Sequence, residues 1–156
     1  MIEQGVRVRV PVAEGVTLSA IPRGLPTMAG APGLTGIPFL LVHGLASNAR
    51  LWDGVADELN QLGHPVIAID QRGHGHASKP DDGYDFGTLT NDLLAVIDEM
   101  GIEPPIVAGQ SWGGNVVMEL ATRHPDRIRG VVAVDGGTIE LSAVMADWEQ
   151  AAVELA

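Results

Sequence analysis

A chain of 156 residues, 46% of them hydrophobic, can bury one sizeable core and is too short for two domains of ordinary size. Its formal net charge of −11, with Lys79 the single lysine, argues against nucleic acid or anionic membrane as partners, because both require a basic surface. Cysteine is absent, which removes disulfides and thiolate metal sites. The start Met1-Ile2-Glu3-Gln4 lacks a basic segment leading into an apolar one, no apolar run reaches membrane-spanning length, and a cytoplasmic location is therefore expected.

Val6, Val8, Val10 and Val12 alternate with Arg7 and Arg9, the period of a half-buried strand near a sheet edge, and Gly15 to Ile21 reads as its hairpin partner. Residues 22–38 are rich in Gly and Pro and nearly uncharged, so a loop is expected there. Four continuous apolar runs follow, at 39–42, 66–69, 106–108 and 131–134, and runs apolar on both faces indicate interior parallel strands. Helical spacing occupies the intervals at about Arg50–Leu62, Thr88–Met100 and Asn115–Arg123, with Leu89, Leu93, Val96, Ile97 and Met100 expected to face inward. The fold class expected is α/β, a mostly parallel sheet with helices on both faces.

Between the third apolar run and its helix stands Gly109-Gln110-Ser111-Trp112-Gly113. A strand that turns into a helix through one residue forces that residue into a strained conformation, and the small neighbours Gly109 and Gly113 let the two arms approach. The turn would raise the Ser111 hydroxyl clear of the sheet and leave the Trp112 N–H at a helix N-terminus, where an anion is favoured. The alternative is a glycine-rich strand-to-helix turn with an incidental serine. Each apolar run also ends in polar or small residues: His43-Gly44-Leu45, Asp70 to Gly75, Gln110-Ser111 and Asp135-Gly136-Gly137. Open α/β sheets gather ligands at the carboxyl ends of their strands, so one shared crevice is expected.

In their order and spacing, His43-Gly44, Asp70-Gln71-Arg72-Gly73-His74-Gly75 and Gly109 to Gly114 resemble the α/β-hydrolase fold superfamily, in its serine-nucleophile, esterase- or amidase-like branch. The resemblance implies Ser111 as nucleophile, with the Leu45 and Trp112 N–H groups as the oxyanion hole. It implies His43 and Gly44 as the loop beside the substrate, although His43 precedes the serine, where a loop-fixing role is the simpler one. Asp135 occupies a position where some members carry the triad acid; the alternative is a loop aspartate satisfied by backbone N–H groups. A serine at the elbow sets the chain apart from the dehalogenase and epoxide-hydrolase branches, which attack alkyl carbon with a carboxylate.

A histidine base would normally follow in later strands. After Ser111 only His124 remains, at an expected helix end, and His64 stands at a strand start. His74 and His76 could begin a metal site, but no further ligand follows at a suitable spacing, and no metal is expected. Neither G-x-G-x-x-G nor G-x-x-x-x-G-K occurs, so no nucleotide cofactor is expected.

Residues 1–137 therefore read as the N-terminal part of a hydrolase core whose C-terminal strands are missing, and 138–156, with Leu141, Val144, Met145, Trp148, Ala152 and Leu155 at helical spacing, as the start of a cap helix. The function expected is a serine hydrolase of a small-molecule ester or amide, truncated or split, with self-association or a complementing C-terminal segment. A non-catalytic binding module of the same shape is the alternative.

Overall fold

The computed structural model describes residues 5–25, 33–102 and 104–137. Six strands, β1 (Val8–Ala13), β2 (Val16–Arg23), β3 (Phe39–Val42), β4 (Val66–Asp70), β5 (Ile106–Gln110) and β6 (Gly130–Val134), form one sheet in the order β1-β2-β4-β3-β5-β6. The strands from β3 onward pair in parallel, while β2 pairs antiparallel with both β1 and β4. The sheet is mixed, with the mostly parallel centre expected from the continuous apolar runs.

Among the described residues three α-helices cover it: α1 (Asp53–Gln61), α2 (Phe86–Met100) and α3 (Trp112–Arg123). Strand alternation divides the core. Leu40, Val42, Ile67, Ile69 and Val107 pack with Leu93, Val96 and Ile97 of α2 and Val116, Val117 and Leu120 of α3. On the opposite face Leu41, Val66, Ala68 and Ala108 meet Trp52 and Ala56 beside α1. Helices thus lie on both faces, and the inward residues expected of α2 are buried except Met100, which is half-buried.

Several boundaries differ from the sequence expectation. The expected loop from residue 22 starts later, because β2 runs on through Pro22 to Arg23. Pro22 pairs with Ile67 of β4, yet its carbonyl accepts from Gly5 on the other side at 3.0 Å. In a strand a residue's N and C=O point the same way, so the missing proline N–H is not one that β4 requires. The next residue, Arg23, is buried because its guanidinium reaches Asp57 at 2.7 Å and Asp53 at 2.8 Å on α1. The helix expected from Arg50 begins as a 3-10 turn, Ala49–Trp52, capped by Asn48, whose side chain accepts from the Arg50 N–H at 3.0 Å. Helix α2 begins at Phe86 rather than Thr88 because Asp85 caps it, accepting from Thr88 N at 3.0 Å and Thr88 Oγ1 at 2.6 Å. It ends at Gly101, which takes the left-handed conformation at φ 64°. The expected cap helix at 138–156 lies outside the described residues.

Candidate active site

The chain passes from β5 to α3 through Ser111 alone, at φ 52° and ψ −121°, a backbone conformation that costs an L-residue about 1–3 kcal/mol. Close packing enforces it. A Cβ on Gly109 would overlap the Gly113 carbonyl, and one on Gly113 would overlap the carbonyls of Val42 and His43, so α3 starts hard against the end of β3. A Cβ on Gly136 would overlap the Ser111 carbonyl, and the Asn115 side chain accepts from the Gly137 N–H at 2.7 Å, pinning the turn after β6 onto the same elbow. Serine at a helix N-cap ordinarily spends its oxygen on a backbone N–H; Ser111 makes no such bond, which leaves its hydroxyl available. Trp112 is the first helical residue, so its N–H has no intrahelical acceptor.

The loop after β3 lies against this turn. Gly44 is buried, and a Cβ there would stand 2.8 Å from the Gln110 side-chain oxygen and 3.0 Å from Ser111 Cβ. Leu45 is exposed, and Ala46 takes φ 52°, so the loop is held in a strained path.

Its clamp is His43. The ring is wholly buried, its Nε2 accepts from the Gln71 N–H at 3.1 Å, and its Nδ1 therefore carries the proton and donates to the Gly44 carbonyl at 2.6 Å. Gln71 completes the clasp by donating from its side-chain amide to the His43 carbonyl at 2.7 Å. Burial is the main reason the His43 pKa is lowered, and the nearby His74 adds to it. Both ring nitrogens are thus committed to the loop, and the side chain holds it from beneath.

The loop after β4 forms the next wall. Asp70 is buried and accepts from the N–H groups of Ala49 at 2.7 Å and His76 at 2.9 Å, and it pairs with Arg7. Burial alone would raise its pKa, but these bonds and the Arg7 charge outweigh burial and hold it below the usual value. The His-x-His segment thus serves Asp70 through its backbone, and among the described residues no three His, Asp or Glu side chains gather as metal ligands. Arg72 is buried and donates from Nε and Nη2 to the two oxygens of Asp92 on α2, at 2.6 and 2.7 Å, a bidentate pair that raises the arginine pKa further. His74 hydrogen-bonds the Arg72 carbonyl through Nδ1 at 3.0 Å, and its ring meets His43 edge-on with centroids 5.0 Å apart.

These loops line a half-open cavity of about 90 Å³ formed by Leu45, Trp112, Tyr84 and Leu89, together with Gln71, Arg72 and His74. Leu45 and Trp112 line this cavity while Ser111 adjoins it, next to Trp112 in the chain and against Gly44, and the loops after β3, β4 and β5 meet at one end of the sheet. Asp135 is exposed at φ 48°, at the end of β6 beside the turn that packs on Ser111. His124 closes the other end of α3, roughly 20 Å from Ser111 at 1.5 Å per residue. Sequence reasoning missed Asp92, Tyr84 and Leu89 as parts of this wall. Asp92 carried a signal, an acid three residues from Leu89 and four from Val96 on the buried stripe, where it demands a buried cation.

The sheet order, the strained serine between β5 and α3, and the crevice at the strand ends define one class. Residues 37–155 match the model of the alpha/beta hydrolase fold family, and the chain belongs to that family. Among curated relatives it is 36% identical over 108 residues to epoxide hydrolase A of Mycobacterium tuberculosis, covering 68% of this chain and 33% of that protein. It is also 36% identical over 101 residues to a putative non-heme haloperoxidase of Mycobacterium phage D29, covering 65% of this chain and 36% of that one. Among solved structures, epoxide hydrolase A of Mycobacterium thermoresistibile superposes with a TM-score of 0.71 at 32% identity, over 82% of this chain and 38% of the other. The chain thus spans about a third of the length of the curated relatives it matches. No described helix is long and apolar enough to cross a membrane.

Proposed function

We propose that this chain carries the nucleophile and oxyanion half of a serine hydrolase that cleaves a carboxylic ester or amide of a small molecule. The observation that carries this reading is Ser111, held at φ 52° with its hydroxyl uncommitted, beside a helix N-terminus. Its Oγ attacks the carbonyl carbon, the carbonyl π pair moves to oxygen, and the Leu45 and Trp112 N–H groups meet that charge, each donor worth about 2.7–4 kcal/mol in comparable sites. Collapse expels the alcohol or amine, which takes the serine proton from the base, and water then releases the acyl group.

A serine favours carbonyl over epoxide chemistry here. Attack on an epoxide by serine would leave an ether that water does not cleave, whereas a carboxylate nucleophile leaves a hydrolysable ester. We assign the base to a histidine outside this chain, as the resemblance implies; both His43 nitrogens are committed and His124 is remote, while His74, whose Nδ1 donates to the Arg72 carbonyl and leaves Nε2 as an acceptor, is the alternative within the chain. Asp135, exposed beside the elbow, is the candidate for the acid that orients it.

A fluorophosphonate probe tests the assignment. Ser111 should be labelled in the protein joined to its histidine-bearing remainder, labelling should vanish in Ser111→Ala, and the 156-residue chain alone should react no faster than its Ser111→Ala variant. Unchanged labelling in Ser111→Ala would remove the nucleophile; robust Ser111-dependent turnover by the 156-residue chain would move the base to His74, the histidine that lines the cavity.

A further inference from the structure

The cavity beside Leu45 and Trp112 limits what the site can hold. Its volume, about 90 Å³, is well below the roughly 150 Å³ of an apolar cavity that accommodates benzene in another protein. Its walls are braced: the Trp112 ring stacks on Phe86 with centroids 5.0 Å apart, and the Tyr84 ring lies over Gly73 while its hydroxyl donates to the Pro80 carbonyl at 2.7 Å. The one full charge in the wall that could attract an anion, on Arg72, is already balanced by the bidentate Asp92.

We propose that the walled part of this half-open cavity seats an uncharged alkyl group of about four carbons or fewer, carried on the carbonyl presented to Ser111, and takes a group the size of a phenyl ring less well. This rests on the serine-hydrolase reading of the same site. The physical reason is that a phenyl group would have to displace either the stacked Trp112 or the tethered Tyr84, and overpacking a braced wall costs about 1–3 kcal/mol. Among the described lining residues a carboxylate-bearing group would find no arginine or lysine left unpaired to offset its desolvation.

Binding of two uncharged amides to this chain, followed by NMR at the Trp112 indole and Leu89 methyl resonances, tests the proposal without requiring turnover. Isobutyramide should shift both sets saturably and bind at least about tenfold tighter than benzamide. Leu89→Ala, which removes part of the wall, should bring benzamide to within about threefold of isobutyramide. Tyr84→Ala, at an exposed position with little folding risk, should do the same if Leu89→Ala does not fold. Benzamide binding the unaltered chain as tightly as isobutyramide, neither amide moving these resonances, or an unchanged order of affinity in the folded variants would overturn the proposal. Amide binding needs no base, so an intact amide preference with failed Ser111 labelling removes the nucleophile and leaves the cavity; the reverse outcome removes the cavity alone.

Discussion

Ser111 and His43 show how single residues carry strain and protonation in this protein. Because the Ser111 conformation is one that glycine adopts freely, Ser111→Gly should be more stable than Ser111→Ala by about 1–3 kcal/mol, read as the difference in urea unfolding free energy. Equal stabilities would mean the turn carries no strain. For His43 the sign follows from burial. The folded ring resists protonation, whereas in the unfolded chain it titrates near pH 6.5, so below that pH the unfolded state binds more protons. Its contribution to stability is complete above about pH 6.5 and is lost as pH falls toward the depressed folded value. The urea midpoint should therefore decline between pH 7 and pH 5, and His43→Gln should be weaker at pH 7 yet decline less. A parallel decline in the variant would place the titration elsewhere.

At the scale of elements, the Arg72–Asp92 pair ties the loop after β4 to α2 and so holds one wall of the cavity. Both side chains are at least 95% buried, and breaking such a pair from one side strands a charge, so Asp92→Leu alone should cost about 3–5 kcal/mol in urea unfolding. Arg72→Met with Asp92→Leu should recover much of that loss, and a double variant no better than the single one would contradict the pairing argument. Strands β3, β4 and β5 were legible because apolar runs buried on both faces need no partner information to be recognised, whereas the same kind of run in β6, expected to be interior, stands at one end of the described sheet with Val132 and Val134 exposed. The elbow was legible because its glycines are required by the path of the backbone. What escaped the sequence depended on contacts between distant elements: β2 extends past Pro22 only because β4 leaves that nitrogen unused, Arg23 is buried only because α1 supplies Asp53 and Asp57, and Tyr84 joins the cavity only because Gly73 leaves room for its ring.

For the whole molecule, β6 lies at one end of the described sheet, and Val132 and Val134 are 46% and 44% exposed. An apolar strand with one edge unpaired among the described residues is a template for another chain. Light scattering across a concentration series should give a mass above the monomer, and Val132→Lys with Val134→Lys should return it to the monomer; a monomeric mass throughout would refute the expectation. The strand order carries a further consequence, in the time domain of synthesis. Strand β3 precedes both of its neighbours in the chain but lies between them, so as the polypeptide emerges β3 can pair first only with β4 and keeps an open edge until β5 arrives. The residues that close that edge lead directly into Gly109 and Gly113, whose contacts lock α3 onto the carbonyls of Val42 and His43. The strained serine is thus set in place by the same segment that completes the centre of the sheet, and in a nascent chain the Ser111 hydroxyl reaches its position only as the core behind it closes.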